Sequence, residues 1–546
     1  MLAPFETHEV LNQSPPLEAY NLYAGNMALR EGVRREGAKW ADRSLTAFGE
    51  LLGKPETMEL GYLANRHTPT LKTFDLKGRR RDEVEFHPAW HRLMAIGCGQ
   101  GLHSGPWADP RPGAHVARAA AFMLFAEVEQ GALCPLTMTF GSVPALRRFP
   151  GVAGPFLERV LKPNYDARFR PIAEKTGALV GMGMTEKQGG SDVRTNTTQA
   201  EPAGDGAYAV TGHKWFFSAP MCDGFLVLAQ APGGLSCFFL PRFLPDGSLN
   251  AIRIQRLKDK VGNKSNASSE VEFHAATGWL LGEEGRGVPT ILEMGTYTRL
   301  DCGLGTTGIM RACLAHALHH TAHRTVFQRK LVDQPLMRNV LADIALEVEA
   351  ATACMLRLAR AFDAQAEEGE TLFRRLMTPA AKYWICKRGP GLAAEAMEVL
   401  GGNGYVEEGI MGRLYREMPV NSIWEGSGNV MCLDVLRALE RSPETRAVLA
   451  AELKQARGAD RRLDQAMSAL QAELEDPTEA ETRARRTVER LMLVFQASLL
   501  VRHAPSAVAD AFIQSRIERD APGHYGVLPR GIDLGALVER AAPLPM

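Results

Sequence analysis

The run of residues 413–429 holds the side chains best suited to acid–base chemistry. It reads Arg-Leu-Tyr-Arg-Glu-Met-Pro-Val-Asn-Ser-Ile-Trp-Glu-Gly-Ser-Gly-Asn and places Glu425 directly after Trp424. An apolar neighbour disfavours the ionised form of a carboxylate and raises its pKa toward neutrality, where proton transfer is most useful. The glycines that follow let another molecule approach the backbone closely. The pattern therefore predicts that Glu425 is a general base, and the alternative is a surface carboxylate at an ordinary loop-to-helix junction.

Three further motifs have features that suit a cofactor. Residues 181–192, Gly-Met-Gly-Met-Thr-Glu-Lys-Gln-Gly-Gly-Ser-Asp, combine glycines with hydroxyls, and such a loop suits a pyrophosphate and the polar edge of a flavin. Residues 212–218, Gly-His-Lys-Trp-Phe-Phe-Ser, offer an aromatic face and a hydroxyl, although an ordinary β-strand would look the same. Residues 398–405, Glu-Val-Leu-Gly-Gly-Asn-Gly-Tyr, are interpreted as a helix C-cap that also approaches a cofactor.

Together these motifs resemble those of the acyl-CoA dehydrogenase flavoprotein family, with Arg413 and Arg416 matching its two arginines. In that family the glutamate of an aromatic-Glu-Gly-Ser/Thr sequence removes the substrate α-proton while the β-hydride passes to FAD, which implies that Glu425 is the catalytic base. The resemblance places Thr185 at the pyrimidine edge of the isoalloxazine and Ser191 at a phosphate. The residues that it places at FAD are Met182, Gly183, Met184, Thr185, Glu186, Lys187, Gln188, Gly189, Gly190, Ser191, Phe216, Phe217, Ser218, Arg324, Phe327, Ile423, Trp424, Gly426, Ser427, Gly428 and Asn429.

Two details of the resemblance concern assembly and subfamily. The family's Arg-x-x-Phe sequence, matched by Arg324 and Phe327, reaches the FAD of a neighbouring subunit, which implies an oligomer. Lys187 replaces the proline of the dehydrogenases, and a branch of the family linked to the response to DNA alkylation shares this lysine. Runs at residues 7–17 and 86–91 also resemble that branch. The branch implies an FAD-bound homotetramer with weak isovaleryl-CoA dehydrogenase activity that associates with double-stranded DNA and limits alkylation damage.

The periodicity of the chain changes twice. Residues 1–180 are predicted to form an α-helical domain, with candidate helices at 38–52 and 114–130; the period then shortens to two, which indicates a small β-barrel domain over residues 181–290. Helical periods return in a bundle over residues 291–440 and in an extension over residues 441–546. The predicted fold is mainly α with a small central β-barrel, and the family's fold has the same order of elements.

Composition excludes some classes of function. Lysine plus arginine and aspartate plus glutamate both number 63, so net charge gives no general reason to expect polyanion binding. The nine cysteines form no Cys-x-x-Cys pair and the N-terminus shows no signal-peptide pattern, which predicts a cytoplasmic protein. No apolar run approaches the roughly 20 residues that a membrane helix needs. Four histidines at helical spacing, 316, 319, 320 and 323, lack accompanying acids or cysteines, so we expect no metal site. The basic run at 79–81 is interpreted as a solvated turn.

The predicted extension over residues 441–546 is the candidate DNA-binding domain. A helical period over residues 479–502 puts Ala484, Val488, Leu491, Phe495 and Leu499 on one face and Arg483, Arg486 and Arg490 on the other. Arginines on one face can neutralise phosphates without reading bases, and Arg437 matches a basic position linked with DNA in the branch. The alternative is a solvated face balanced by nearby acids.

Three functions are compatible with these observations. A DNA-associated flavoprotein explains both the FAD motifs and the extension, whereas a catabolic short- or branched-chain acyl-CoA dehydrogenase leaves the extension unexplained. A purely structural DNA-coating protein would need neither the base at 425 nor a flavin.

Overall fold

The computed structural model describes residues 7–363, 367–518 and 523–544. The chain divides into two compact units. The sheet unit comprises residues 56–305 and 420–430, and the helical unit comprises the described residues within 1–55, 306–419 and 431–546. Residues 7–55 therefore fold with the C-terminal helices, although they are distant from them in sequence.

The elements follow one another along the chain as α1 (Met27–Arg35), α2 (Asp42–Leu52), α3 (Pro55–Arg66), β1 (Thr70–Phe74), β2 (Arg80–Glu85), α4 (Pro88–Gly99), α5 (Gly105–Ala108), α6 (Ala114–Val128), α7 (Leu133–Arg148), α8 (Pro150–Val160), β3 (Val180–Gly183), β4 (Gln199–Gly204), β5 (Ala207–Ser218), β6 (Gly224–Ala231), β7 (Gly234–Pro241), β8 (Ile252–Leu257), β9 (Ser268–Leu281), α9 (Gly287–His323), β10 (Thr325–Val326), β11 (Arg329–Lys330), α10 (Pro335–Asp363), α11 (Glu368–Val399), α12 (Met411–Asn421), α13 (Gly428–Arg441), α14 (Glu444–Lys454), α15 (Arg461–Glu475), α16 (Ala480–His503), α17 (Ser506–Phe512) and α18 (Leu534–Ala541). The predicted order of helix, β and helix is confirmed.

The sheet unit is organised around seven strands. β3 pairs parallel with β6, β6 pairs antiparallel with β7, and β7 pairs with β9. β9 in turn pairs with β5 and β8, and β5 pairs with β4. Large aromatic side chains fill the interior, among them Phe217, Phe225 and Phe273. The pattern after residue 206 thus predicted strands correctly, although β6 and β7 are buried over most of their length and do not alternate between core and surface.

Buried helices accompany the sheet. The predicted helix at 114–130 is α6, whose alanines are almost all buried. The guanidinium of Arg118 makes a bidentate pair with Asp301, with N–O distances of 2.8 and 2.7 Å, and its Cζ lies 3.5 Å from the centroid of the Phe140 ring. A buried charge is tolerated here because it is both paired and hydrogen-bonded.

The segment before α4 departs from the helical prediction. β1 and β2 form an antiparallel hairpin within a region that was expected to be helical. The basic run at 79–81 is not a solvated turn, because Arg80 and Arg81 lie on β2. Arg80 Nη2 donates to the carbonyl of Ile254 at 3.0 Å, and Ile254 N donates to Asp82 Oδ1 at 3.1 Å, so the hairpin is bonded to β8. The sequence did not indicate β2, because this short, charged strand shows no hydrophobic periodicity and its partners on β8 are distant in sequence.

The helical unit places the extension against the bundle. α16 contacts both α10 and α11, and all five predicted apolar residues of its face are buried. Arg357 of α10 joins the two parts, because its Nη1 pairs with Glu370 of α11 at 3.0 Å and its Nη2 with Glu452 of α14 at 2.8 Å. The prediction of a helix over residues 479–502 is therefore confirmed by α16.

All nine cysteines are buried and none forms a disulfide. Across residues 7–363, 367–518 and 523–544, no helix is long and apolar enough to span a membrane. The same residues contain no group of three or more His, Cys, Asp or Glu side chains placed to hold a metal ion.

Candidate active site

Glu425 lies in the connection between α12 and α13 and has an unusual backbone. Its φ is +60° and that of Gly426 is +108°, so two successive residues adopt left-handed conformations. For a non-glycine residue this conformation costs about 1 kcal/mol or more and persists only where the surroundings fix it. Here Arg299 of α9 fixes it, because its Nε donates to the carbonyl oxygen of Glu425 at 2.9 Å.

The carboxylate of Glu425 points toward a glycine of α9. A Cβ added at Gly295 would lie 3.9 Å from Glu425 Oε2, an ordinary contact distance, so the carboxylate lies beside α9 at this glycine. Burial raises the pKa of Cys134, at the start of α7, to about 12, and the charge of Glu425 adds to the increase. The indole Nε1 of Trp424 is buried and has no hydrogen-bond partner within the described chain. The base predicted from sequence thus lies among groups from two distant segments, α7 and α9, and its own neighbour Trp424.

Asn266 is another buried polar residue in this region. The residue is 1% exposed, and its side chain hydrogen-bonds the thiol of Cys134 and opposes the increase in the pKa of that thiol. It adjoins the entry to α7, since a Cβ at Gly131 would lie 2.9 Å from Asn266 N. Glu129 anchors that entry by accepting hydrogen bonds from Gly131 N at 3.0 Å, Ala132 N at 2.7 Å and Ser265 Oγ at 2.5 Å.

The glycine-rich loop is held from behind by a buried ion pair. Lys214 Nζ of β5 lies 2.7 Å from Glu186 Oε1, and both side chains are fully buried. Burial by itself would raise the pKa of Glu186, but Lys214 and hydrogen bonds from Thr197 and Thr198 outweigh it and hold that pKa well below the usual range. Burial lowers the pKa of Lys214, and Glu186 opposes that decrease. The pair is therefore charged near neutrality and ties the loop to β5.

The outer side of the loop is shaped by its glycines. Glu186 and Gly189 exchange backbone hydrogen bonds of 3.2 and 3.1 Å, which closes a tight turn. A Cβ at Gly190 would lie 2.6 Å from Thr185 Oγ1, so only glycine leaves that hydroxyl in place. Lys187 N donates to His213 Nε2 at 3.1 Å, which binds the loop again to β5.

Strand β5 presents one aromatic ring to solvent and buries the next. Phe216 is 50% exposed, whereas Phe217 is fully buried against Phe225 and Phe273. Ser218 is half-buried, and its Oγ lies 3.3 Å from Ser268 Oγ. Phe217 and Glu186, both predicted to contact the cofactor, have no exposed surface, and each lies behind the exposed residues of the loop and strand.

The remaining residues predicted to bind FAD fall into three groups. Met182 and Gly183 are buried in β3, whereas Met184, Thr185, Lys187, Gln188, Gly189, Gly190 and Ser191 lie in the partly exposed loop. Ile423, Trp424, Gly426, Ser427, Gly428 and Asn429 surround the base at the start of α13. Arg324 and Phe327 lie in the helical unit, where Phe327 is 89% exposed with a φ of +50° at the tip of the hairpin β10–β11.

The exposed groups of the glycine-rich loop and of β5 in the sheet unit have a chemistry and a shape that fit FAD. An exposed aromatic ring, partly exposed hydroxyls and a turn in which glycine leaves space suit a flavin and its phosphates. The buried indole Nε1 of Trp424 adds a donor without a partner among the described residues.

Comparison with known proteins agrees with this geometry. Residues 181–276 match the model of the acyl-CoA dehydrogenase middle domain, and residues 285–440 match that of the acyl-CoA dehydrogenase C-terminal domain. Residues 12–167 match the N-terminal domain of adaptive response protein AidB. The chain is 52% identical to a putative acyl-CoA dehydrogenase, AidB, of Escherichia coli strain K12, over 94% of this chain and 95% of that protein.

The chain belongs to the acyl-CoA dehydrogenase family. It is an FAD-dependent oxidoreductase of that family. It is also 28% identical to acyl-CoA dehydrogenase family member 11 of Caenorhabditis elegans, over 87% of this chain and 82% of that protein. The crystal structure of Caenorhabditis elegans ACDH-11 in complex with C11-CoA has the same fold, with a TM-score of 0.85 at 24% identity over 99% of this chain and 94% of that one.

The arginines predicted to bind DNA have different surroundings. Arg483 Nη2 donates to the carbonyl of Thr478 at 2.6 Å and lies 3.2 Å from Asp476 Oδ2, and Arg490 Nη1 lies 2.8 Å from Glu473 Oε2. Arg486 of α16 and Arg437 of α13 are exposed. The arginine face is thus balanced in part by acids of the preceding segment, as the alternative interpretation expected.

Sequence reasoning missed several residues that shape the site. Lys214 carried a detectable signal, since a lysine on the inward face of an aromatic strand needs a buried acid. Arg299 and Asn266 carried none, because their contacts join segments more than 120 residues apart.

Proposed function

We propose that the protein dehydrogenates an acyl-CoA thioester, with Glu425 as the base that accepts the α-proton. FAD supplies the acceptor for the β-hydride. The observation that carries the proposal is the fixed, left-handed Glu425, whose carbonyl is held by Arg299 and whose carboxylate lies beside Gly295 of α9. A base must be positioned before its pKa matters, and this arrangement positions it. The C11-CoA complex of the Caenorhabditis elegans relative supports an acyl-CoA as substrate. We expect the substrate to be a branched, short-chain acyl-CoA such as isovaleryl-CoA, and we expect its turnover to be weak.

The test is anaerobic reduction of the bound flavin by isovaleryl-CoA. Glu425→Gln keeps the shape of the side chain but cannot accept the proton, so the variant should bind FAD and fail to bleach it. Glu293→Gln is the matched control, because Glu293 lies on α9 in a surface ion pair with Arg148 at 2.9 Å. Unchanged bleaching in Glu425→Gln would refute the assignment of the base.

We also propose a homotetramer in which Arg324 and Phe327 reach the FAD of a neighbouring subunit. The exposed ring of Phe327 supports this, since a large apolar side chain held outward in a strained conformation is typical of a contact site.

For the sheet we propose closure into a barrel, supported by β6, which pairs with β3, β4 and β7. The domain boundaries at residues 180, 290 and 440 remain part of this proposal.

A second proposed role is association with double-stranded DNA that limits alkylation damage. The match to the adaptive response protein AidB supports it, together with the exposed arginines 437 and 486. Phosphate contacts of this kind give binding that is tolerant of sequence and sensitive to salt.

Comparison of exposed with acid-paired arginines tests this role, and α16 carries both kinds. Arg486→Gln and Arg437→Gln should each weaken binding to all duplexes and reduce the salt slope by roughly one unit. Arg483→Gln and Arg490→Gln should change binding less, because those arginines already bond to Thr478 and Glu473. If Arg486→Gln and Arg437→Gln bind DNA as the wild type does, the DNA surface lies elsewhere or the protein is a catabolic dehydrogenase without a DNA role.

A further inference from the structure

Three cations lie around Trp215 of β5, and one of them also lies over the neighbouring exposed ring of Phe216. Lys258 Nζ lies 3.6 Å from the centroid of the Trp215 ring and 4.4 Å from that of Phe216. Lys187 Nζ and Arg256 Cζ each lie 5.9 Å from the Trp215 centroid. These residues come from three segments: the glycine-rich loop, β5, and the stretch that ends β8.

One carboxylate accompanies these three cations. Glu270 Oε1 lies 2.8 Å from Lys258 Nζ and 2.7 Å from Arg256 Nη2. With Lys187, Arg256 and Lys258 positive and Glu270 negative, the four side chains carry a net charge of +2. Within this cluster Lys258 is the cation that lies next to Phe216, the exposed ring on which the proposed flavin site depends.

The backbone holds Lys258 firmly in this place. Its N–H donates to the carbonyl of Ser268 at 2.7 Å, and Ser268 pairs in register with Ser218 of β5. The side chain of Lys258 is only 11% exposed, and it stacks on aromatic rings while it pairs with an acid. Little solvent screens an ammonium in this position, so its field, which Glu270 offsets in part, acts on neighbouring groups.

We infer that Lys258 tunes the bound flavin, with its ammonium favouring the reduced cofactor electrostatically beside the Phe216 ring. Two-electron reduction of a flavin with uptake of one proton adds one negative charge to the ring system. A fixed cation nearby stabilises that charge and shifts the equilibrium toward the reduced form. Lys258 is therefore a positioning residue, which orders the Phe216 ring and sets the charge next to it. The inference rests on the proposed placement of FAD against Phe216.

The reduction potential of the FAD-loaded protein tests the inference, measured by equilibration with a reference dye. Lys258→Met should shift the equilibrium roughly tenfold toward the oxidised flavin, which is ~30 mV for a two-electron couple. Lys258→Arg keeps the charge and should retain the wild-type potential, and Glu270→Gln should shift it in the opposite direction. Lys72→Met is the control, since Lys72 pairs with Glu85 on the exposed hairpin β1–β2. A wild-type potential in Lys258→Met would overturn the inference.

Two outcomes separate this inference from the proposed site. If Phe216→Leu leaves the visible circular dichroism of the flavin unchanged, FAD does not lie against that ring and the proposed placement fails. If Phe216→Leu alters the spectrum while Lys258→Met keeps the potential, only the tuning role fails. Loss of FAD from Lys258→Met but not from Lys258→Arg supports a need for the charge, whereas loss from both overturns it in favour of a scaffolding role.

Discussion

Removal of Lys214 should loosen the glycine-rich loop from the sheet. In Lys214→Met the carboxylate of Glu186 stays buried without its cation, although Thr197 and Thr198 still donate to it at distances from 2.6 to 3.2 Å. Breaking a fully buried pair by removing one partner costs about 3–5 kcal/mol. We expect a loss near the lower end of that range, because the remaining hydrogen bonds solvate the carboxylate.

Hydrogen exchange measures this loss where it occurs. The backbone amides of residues 185–218 should become exposed to exchange ~100-fold more often in Lys214→Met. The factor follows from the expected loss of stability, since each 1.4 kcal/mol is about a factor of ten in the opening equilibrium. In the double variant Lys214→Met with Glu186→Gln the carboxylate is gone, so part of the protection should return. Equal protection in Lys214→Met and wild type would refute the view that this pair holds the loop.

The same pair sets a dependence on pH. The pKa of Glu186 is held at about 2, below its usual 4.5. An acid whose pKa is lower in the folded state than in the unfolded state stabilises the protein at pH values above its unfolded-state pKa. That contribution is lost as the pH falls through the folded-state pKa. Loop protection should therefore be constant near neutrality and decline from about pH 4.5 toward pH 2, with no such decline in Glu186→Gln.

Three further predictions concern the base, the loop and assembly. Arg299→Met releases the carbonyl of Glu425, so the rate of flavin reduction by acyl-CoA in stopped flow should fall roughly 10–100-fold with unchanged FAD content, and an unchanged rate would contradict this role. Gly190→Ala places a Cβ 2.6 Å from Thr185 Oγ1 and should weaken FAD binding about tenfold in reconstitution titrations, whereas wild-type affinity would show that the loop does not contact the cofactor. Arg324→Ala should lower FAD occupancy and oligomer stability together in absorbance and sedimentation, while Arg329→Ala should change neither; if only one of the two properties changes in Arg324→Ala, the cross-subunit contact is wrong.

The arginine face of α16 shows how a correct periodicity can still mislead. The sequence correctly separated an apolar face from a basic one, because burial follows the 3.6-residue period. The sequence did not show that Glu473 pairs with Arg490 and that Asp476 pairs with Arg483. Neutralisation depends on how α15 packs against α16, and local sequence does not encode the angle between two helices.

The sequence by itself determined the local features of this protein. Strand alternation, helical periods, the aromatic neighbour of Glu425 and the glycines of the loop depend on residues near one another in the chain, where backbone geometry alone fixes the pattern. The tertiary structure decided which distant groups complete the site. Arg299 reaches Glu425 across 126 residues, and Lys258 lies against Phe216 only because β8 and β5 both pair with β9. Such contacts arise from sheet topology and helix packing, whose energies come from buried surface summed over the whole unit, and no short pattern in the sequence records them.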